Sequence, residues 1–199
     1  MMKSLRHFPE VITAKLCELR RVEPNLNNAR ILMDVIDSSR QSLGDWYEMF
    51  INVTTRDGIY DLIKRRHDQW NKLRGFCFGI YASNLLVGRI RVFDLDLPMQ
   101  SAQLGFWLAD EFVGRGIMSD ALDAVVSVLF EFGFERIELR IDCGNTRAEN
   151  LAKRAGFVCE GRLRRKSCAR GAGGACDLGI YSKLKSDVYK EDTDVQATA

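Results

Sequence analysis

Residues Glu111–Met118 read EFVGRGIM. Two glycines bracket an arginine, between an alternating segment, SAQLGFWLA, and a long apolar run. A helix opening there presents amide N–H groups with no partner inside the helix, at the end where its dipole carries partial positive charge. A phosphate can accept those N–H groups directly. Gly114 and Gly116 leave the backbone uncovered and permit positive φ, and Arg115 adds a cation. The stretch is not a P-loop, because the Lys-Ser/Thr ending is absent, and it does not complete G-x-G-x-x-G. Taken alone, the octamer reads first as a strand-to-helix turn with a solvated arginine. Its surroundings decide whether it is an anion cradle.

The other residue types able to do chemistry are sparse. Six cysteines (Cys17, Cys77, Cys143, Cys159, Cys168, Cys176) form no C-x-x-C pair, and there are two histidines, so no metal is expected. Cys168 and Cys176 flank a glycine turn and could face each other across a hairpin. The N-terminus MMKSLRHFPEV lacks the apolar stretch of an export signal, which points to a cytoplasmic protein whose thiols stay reduced. Cys143, at the end of RIDC, has no identified histidine or cation to activate it as a covalent carrier.

The elements that must position these residues follow from periodicity. A chain of 199 residues with 46% hydrophobic and 28% charged residues is expected to form one domain with one sizeable core. A net charge of +2 gives no bulk attraction to nucleic acid, and no stretch is long and apolar enough for a bilayer. KLCELRRV reads as a strand, NLNNARILMDVIDSSR and RDGIYDLIKRRHDQWNKLR as amphipathic helices, and QSLGDWYEMF as an aromatic segment of undetermined structure. From residue 75 the period becomes two. GFCFGIYA and LVGRIRVFDLD are joined by SNL, a hairpin signal, and SAQLGFWLA is a third strand. A helix is expected over 117–132, then a strand at RIELRIDC, a short helix at TRAENLAKRAG stopped by Gly156, and a closing hairpin turning at Gly171–Gly174. The order gives an α+β (mixed α/β) domain over residues 1–185, with a polar, frayed tail over 186–199.

LGFWLADEFVGRGIMSDAL followed by IELRIDCGNTRAENLAKRAGFVCEGRLR resembles the GNAT acetyltransferase superfamily, and within it the RimJ/RimL type that acetylates protein N-termini. The similarity covers Ala102 to about Leu184 and extends more loosely over LCELRRV and SLGDWYEMF. It implies a central, mostly antiparallel twisted sheet with splayed middle strands flanked by helices. It implies acetyl-CoA as donor, with the backbone of Trp107, Leu108 and Ala109 along the pantetheine arm. The amides of Val113, Gly114, Arg115, Gly116, Ile117, Met118 and Ser119 would hold the pyrophosphate, and Asn145 would contact the arm. Arg147, Lys153 and Arg154 lie where they could meet the 3′-phosphate.

Four positions depart from the pattern: Val113 replaces the Gln or Arg that begins the cradle, Ala152 the tyrosine acid, Ala148 the serine, and Gln103 the glutamate before the Leu-Gly pair. Glu160 in FVCEG is then the best remaining base, its alternative being a hairpin carboxylate paired with Arg162 or Arg164. Asn150 is a candidate to supply the remaining proton or hydrogen bond, and the Leu108 amide an oxyanion contact. Trp46 and Gln103 are read as facing the amine acceptor; the alternative for Trp46 is a core aromatic. RLRRK, Arg162 to Lys166, reads mostly as a solvated face but could receive an acidic substrate. The acceptor is expected to be a protein N-terminal α-amine. Alternatives are a small amine (amino acid, polyamine or aminoacyl-nucleotide toxin) and a module that binds acyl-CoA without catalysis. A homodimer is compatible with each.

Overall fold

The computed structural model describes residues 2–47, 52–169 and 174–188. One sheet of eight strands runs in the order β1-β2-β3-β4-β5-β6-β8-β7. The strands are β1 (Val11–Thr13), β2 (Glu18–Arg21), β3 (Phe76–Ala82), β4 (Leu85–Asp96), β5 (Ser101–Leu108), β6 (Arg136–Asp142), β7 (Val158–Ala169) and β8 (Gly174–Leu184). Every neighbouring pair is antiparallel except β5 and β6. That pair is parallel because the chain between them crosses over through a helix. The β3–β4 hairpin turns at Ser83 and Asn84, both at positive φ (49° and 63°), as a tight two-residue turn requires.

Among the described residues, the helices that cover the two faces are α1 (Leu26–Asp37), α2 (Arg40–Trp46), α3 (Arg56–Asn71), α4 (Ile117–Glu131) and α5 (Thr146–Arg154). α1 and α3 start at side-chain caps, Asn25 accepting from the Asn28 N–H and Thr55 from the Gly58 N–H. Their apolar stripes, Ala29, Leu32 and Ile36 with Ile59 and Ile63, close over Leu86 and Trp107. α4 buries Ile117, Ala121, Leu122, Val125 and Leu129 against Leu104, Leu139 and Ile141 from the strands on either side of it. α2 resolves the segment that periodicity left undetermined, and β1 is an additional edge strand too short to show a pattern. Residues 185–188 form a helical turn after β8. The remainder of the polar tail and the Gly171–Gly173 part of the hairpin turn lie outside the described residues. In the β7–β8 register Cys168 stands opposite Ala175 and Cys176 opposite Ser167, so the two cysteines are not cross-strand partners.

Candidate active site

β5 and β6 pair only from Ser101↔Arg136 to Leu104↔Leu139. Beyond that point both continue, β5 still bonded to β4 as far as Leu108 and β6 to β8 as far as Asp142. The two strands therefore splay towards their C-terminal ends, the side on which open α/β sheets bind ligands. Backbone groups on the facing edges lose their ladder partners there, and such groups require others.

Which groups face the gap follows from one bond. Ala109 N–H donates to Val87 O at 2.8 Å, so residue 109 turns its backbone towards β4. Residues two apart along a strand point the same way. Trp107 thus also faces β4, whereas Leu108 and Phe106 turn their N–H and C=O groups into the gap. This corrects the expectation that all of Trp107, Leu108 and Ala109 present backbone there. Phe106 is the residue the sequence reading did not name, and Phe106, Trp107 and Leu108 all line the cavity beyond the gap.

The gap opens into a cavity of about 550 Å³, within the range typical of ligand sites. Its far wall is the start of α4. After a 3₁₀ turn at Asp110–Phe112, Gly114 takes φ +81° and Gly116 φ +77°. Gly116 is the N-cap of α4, and the first helical bond runs from Asp120 N–H to Gly116 O at 3.0 Å. The amides of Ile117, Met118 and Ser119 precede that bond and belong to the unpaired first turn. A Cβ on Gly114 would meet nothing within 4 Å, so glycine is needed there for its backbone angle rather than for space. Asp120, the first-turn acid, is engaged elsewhere: its Oδ2 accepts the Leu16 N–H at 2.6 Å, tying the β1–β2 turn to the helix. Burial, with Asp120 beside it, pushes the Cys17 thiol up to about 12.

Val113, Gly114, Gly116, Ile117 and Met118 line the cavity; Arg115 does not, its guanidinium lying over the Phe112 ring at 5.2 Å. Ser119 is likewise absent from the lining. The opposite rim is the start of α5. Asn145 lines the cavity and spends its side-chain oxygen capping the helix through the Ala148 N–H at 3.2 Å. Arg147 and Arg154 line it as well, whereas Lys153 does not.

α2 closes the third side. Ser39 Oγ accepts the Asp110 N–H at 2.8 Å, and Ser42 Oγ donates to Asp110 Oδ2 at 2.6 Å. Tyr47, just past α2, donates its hydroxyl to Phe106 O at 2.6 Å. Those three bonds hold Asp45, Trp46 and Tyr47 on the cavity wall. Trp46 is therefore brought to the site. Burial, with Asp142 adding to it, lifts the Tyr47 hydroxyl to about 12, so it remains a donor at neutral pH.

Besides Ala109, Arg115, Ser119 and Lys153, three further expected site residues are absent from the lining. Glu160 lies on β7 beside the start of β6. Arg136 donates to it twice, at 2.6 and 2.5 Å, and Ser182 Oγ once, at 2.7 Å. The start of β6 is six residues from Asp142, about 20 Å along a strand. The hydrogen bonds from Arg136, then that from Ser182, hold its carboxyl down to about 2. Glu160 is outside the cavity lining, so its assignment as general base is corrected to a structural ion pair, with Arg136 rather than Arg162 or Arg164 as partner. Asn150 is exposed and outside the lining. Gln103 lies within the paired part of β5, opposite Glu138 in register, and does not line the cavity.

The family profile described as an acetyltransferase (GNAT) domain matches residues 19–158. YdaF of Bacillus subtilis (strain 168), which carries the name of a ribosomal N-acetyltransferase, is 29% identical over 171 residues, 85% of this chain and 91% of its own. The ribosomal-protein-serine acetyltransferase of Escherichia coli (strain K12) is 29% identical over 116 residues, 56% of this chain and 63% of its own. Among solved structures, RimL, a ribosomal L7/L12 α-N-protein acetyltransferase in complex with coenzyme A, superposes with a TM-score of 0.82 at 20% identity, covering 88% of this chain and 98% of its own. The microcin C7 self-immunity acetyltransferase MccE, in complex with acetyl-CoA and AMP, gives 0.79 at 21% identity, covering 85% and 93%. With its splayed β5–β6 pair, its glycine-led α4 and this match across most of its length, the chain belongs to the GNAT acetyltransferase family.

Proposed function

We propose that this protein transfers an acetyl group from acetyl-CoA to a primary amine, and that the acceptor is a protein N-terminal α-amine. The observation that carries the reading is the splay itself. It is a slot with unpaired strand edges, opening at one end onto the bare amides of α4 and at the other onto the aromatic wall of α2. A donor built of a diphosphate followed by a chain of amides satisfies both. In this reading the amides from Gly114 to Ser119 hold the diphosphate. Leu108 and Phe106 pair with the pantetheine arm. Arg147 and Arg154 meet the 3′-phosphate, with Asn145 between.

Acetyl-CoA supplies an acyl group already activated as a thioester. The chain's task is then to align the amine, steady the oxyanion and receive a proton. The Leu108 N–H points into the slot and is positioned for the oxyanion. An α-amine has a pKa near 8, so about a tenth is already neutral at pH 7. The carboxylates on the cavity wall are Asp45 and Asp110, and the proton passes to them, directly or through water. Proximity in the slot supplies most of the rate. The similarity of the chain to YdaF supports a ribosomal-protein acceptor.

A second reading, acetylation of a small amine that carries a ring, is favoured by Trp46 on the wall, where it can stack on a planar group. Release of free thiol from acetyl-CoA, measured against a panel of N-terminal peptides and small amines, tests both. Turnover with peptides supports the first, turnover only with small amines the second. Binding of coenzyme A without turnover on any amine would leave a non-catalytic acyl-CoA module.

A further inference from the structure

A second, small cavity lies between α3 and the sheet, separate from the candidate active site. Arg21, Arg66, His67, Cys77 and Arg89 supply its polar lining, and Leu32, Ile63 and Trp70 are among its apolar walls. Its volume of about 10 Å³ admits one small ion or water molecule. The charges around it do not balance. Four sheet arginines have carboxylate partners: Arg20 with Glu18 at 2.9 Å, Arg21 with Glu10 at 2.6 Å, Arg136 with Glu160 at 2.5 Å, Arg140 with Glu138 at 2.8 Å. Arg66 and Arg89 have no carboxylate within 4 Å among the described residues.

Arg89 is only 8% exposed, and its one side-chain hydrogen bond among the described residues goes from Nη2 to Cys77 Sγ at 2.8 Å. Among the described residues, the Arg66 guanidinium donates to the neutral Gln69 Oε1, at 2.9 Å. Arg91 follows Arg89 on the same face of β4, with Phe93 beneath its guanidinium at 4.2 Å. The carboxylates on this side of the sheet are peripheral, and the group beside the arginines inside the cavity is the Cys77 thiol, which acts on Arg66 and Arg91. Glu10 and Glu23 contact Arg21 and His67 and are 63% and 59% exposed, and Asp94 acts on Arg91. The mutual cost shows on Arg66, whose guanidinium is pushed down to about 10 by burial and then by Arg91, Arg89 and Arg65. Buried charge left uncompensated is expensive, and Arg21 Nε, on the cavity lining, is buried with no hydrogen-bond partner among the described residues.

We propose that this cavity binds a small monovalent anion of chloride size, held by the guanidinium groups of Arg66 and Arg89. The anion supplies the negative charge that the chain does not, and locks α3 to β3 and β4. The inference is independent of the acetyltransferase reading.

The test is thermal unfolding of the full chain in sodium chloride against sodium gluconate, an anion too large for the cavity, at matched ionic strength. A saturable rise in Tm of about 3–6 °C is expected at chloride concentrations near tenfold above Kd. Arg66→Met is expected to lose the chloride-dependent part of the rise. Equal Tm values in the two salts, or a full chloride response in Arg66→Met, would overturn the proposal. Should that variant not fold, a bromide-soaked crystal of the unaltered protein decides. An anomalous peak beside the Arg66 and Arg89 guanidinium groups supports the site, and its absence there refutes it.

Discussion

Replacing Gly116 by alanine probes the anion cradle with one methyl group. Gly116 sits at φ +77° as the N-cap of α4, and an added Cβ would lie 3.4 Å from Leu16 Cδ1, an ordinary contact. The cost is therefore in the backbone: about 1–2 kcal/mol for an L side chain in the left-handed region. Against a folding stability of about 5–15 kcal/mol the fold survives, with a fall in Tm of about 2–8 °C. Relief of that strain towards negative φ turns the amides of Ile117 to Ser119 away from the cavity. A hydrogen bond to a charged partner contributes about 1.5–3 kcal/mol, so one lost contact to the diphosphate weakens coenzyme A binding by about tenfold to a hundredfold. The control is Gly133→Ala at the other end of the same helix, where φ is +95°, with a similar backbone penalty and no part in the cavity lining. Titration calorimetry with coenzyme A, alongside thermal unfolding, separates the two effects. Gly116→Ala is expected to lose affinity and stability, Gly133→Ala stability alone. An affinity for Gly116→Ala within twofold of the unaltered protein, at a Tm loss matching the control, would refute the cradle.

Further outcomes are expected. Arg147→Met combined with Arg154→Met should abolish any preference for coenzyme A over its 3′-dephospho form, measured as a ratio of two dissociation constants; a preserved ratio would move the 3′-phosphate elsewhere. Glu160→Gln should leave turnover of a competent acceptor within about threefold of the unaltered enzyme, far short of the roughly hundredfold or greater loss typical of a general base. Because the folded pKa of Glu160, about 2, lies below its ordinary value of 4.5, its stabilising contribution is complete above that value and is lost as pH falls towards 2. Acid unfolding of Glu160→Gln should accordingly lose part of its pH dependence between those limits, and an unchanged profile would contradict the ion pair. Tyr47→Phe leaves Phe106 O without its donor, so the protein should lose about 1–3 kcal/mol by denaturant unfolding unless coenzyme A is present to cover that edge; an equal loss with and without saturating coenzyme A would argue against a pantetheine in the slot.

Much of this arrangement is visible in the chain because its causes are local. The α4 stripe from Ile117 to Leu129 repeats at helical spacing, and two glycines at its head announce a backbone that needs positive φ. The Ser83–Asn84 turn is written in its own residue types. Asn145 is followed at helical spacing by Ala148 and Leu151 on one face of α5. Strand alternation would have replaced Trp107 and Ala109 by Phe106 as edge donors, given the direction of one bond. What could not be read depends on contacts between distant segments. The Tyr47–Phe106 bond joins residues 59 apart, and the Glu160–Arg136 pair joins residues 24 apart. Nothing near Glu160 in the chain says that its strand begins at the end of the sheet away from the cavity. The wall built by α2 depends on Ser39 and Ser42 meeting Asp110, and a seven-residue helix carries too little periodicity to announce that docking.

A crystal structure of the protein with acetyl-CoA tests the central claim most directly. The account predicts diphosphate oxygens about 2.7–3.2 Å from amide nitrogens between Gly114 and Ser119, with the pantetheine arm bonded to Leu108 and Phe106 in the gap beyond the Leu104–Leu139 pair. A diphosphate bound away from the start of α4, or an arm that leaves the β5–β6 gap closed to it, would contradict the account.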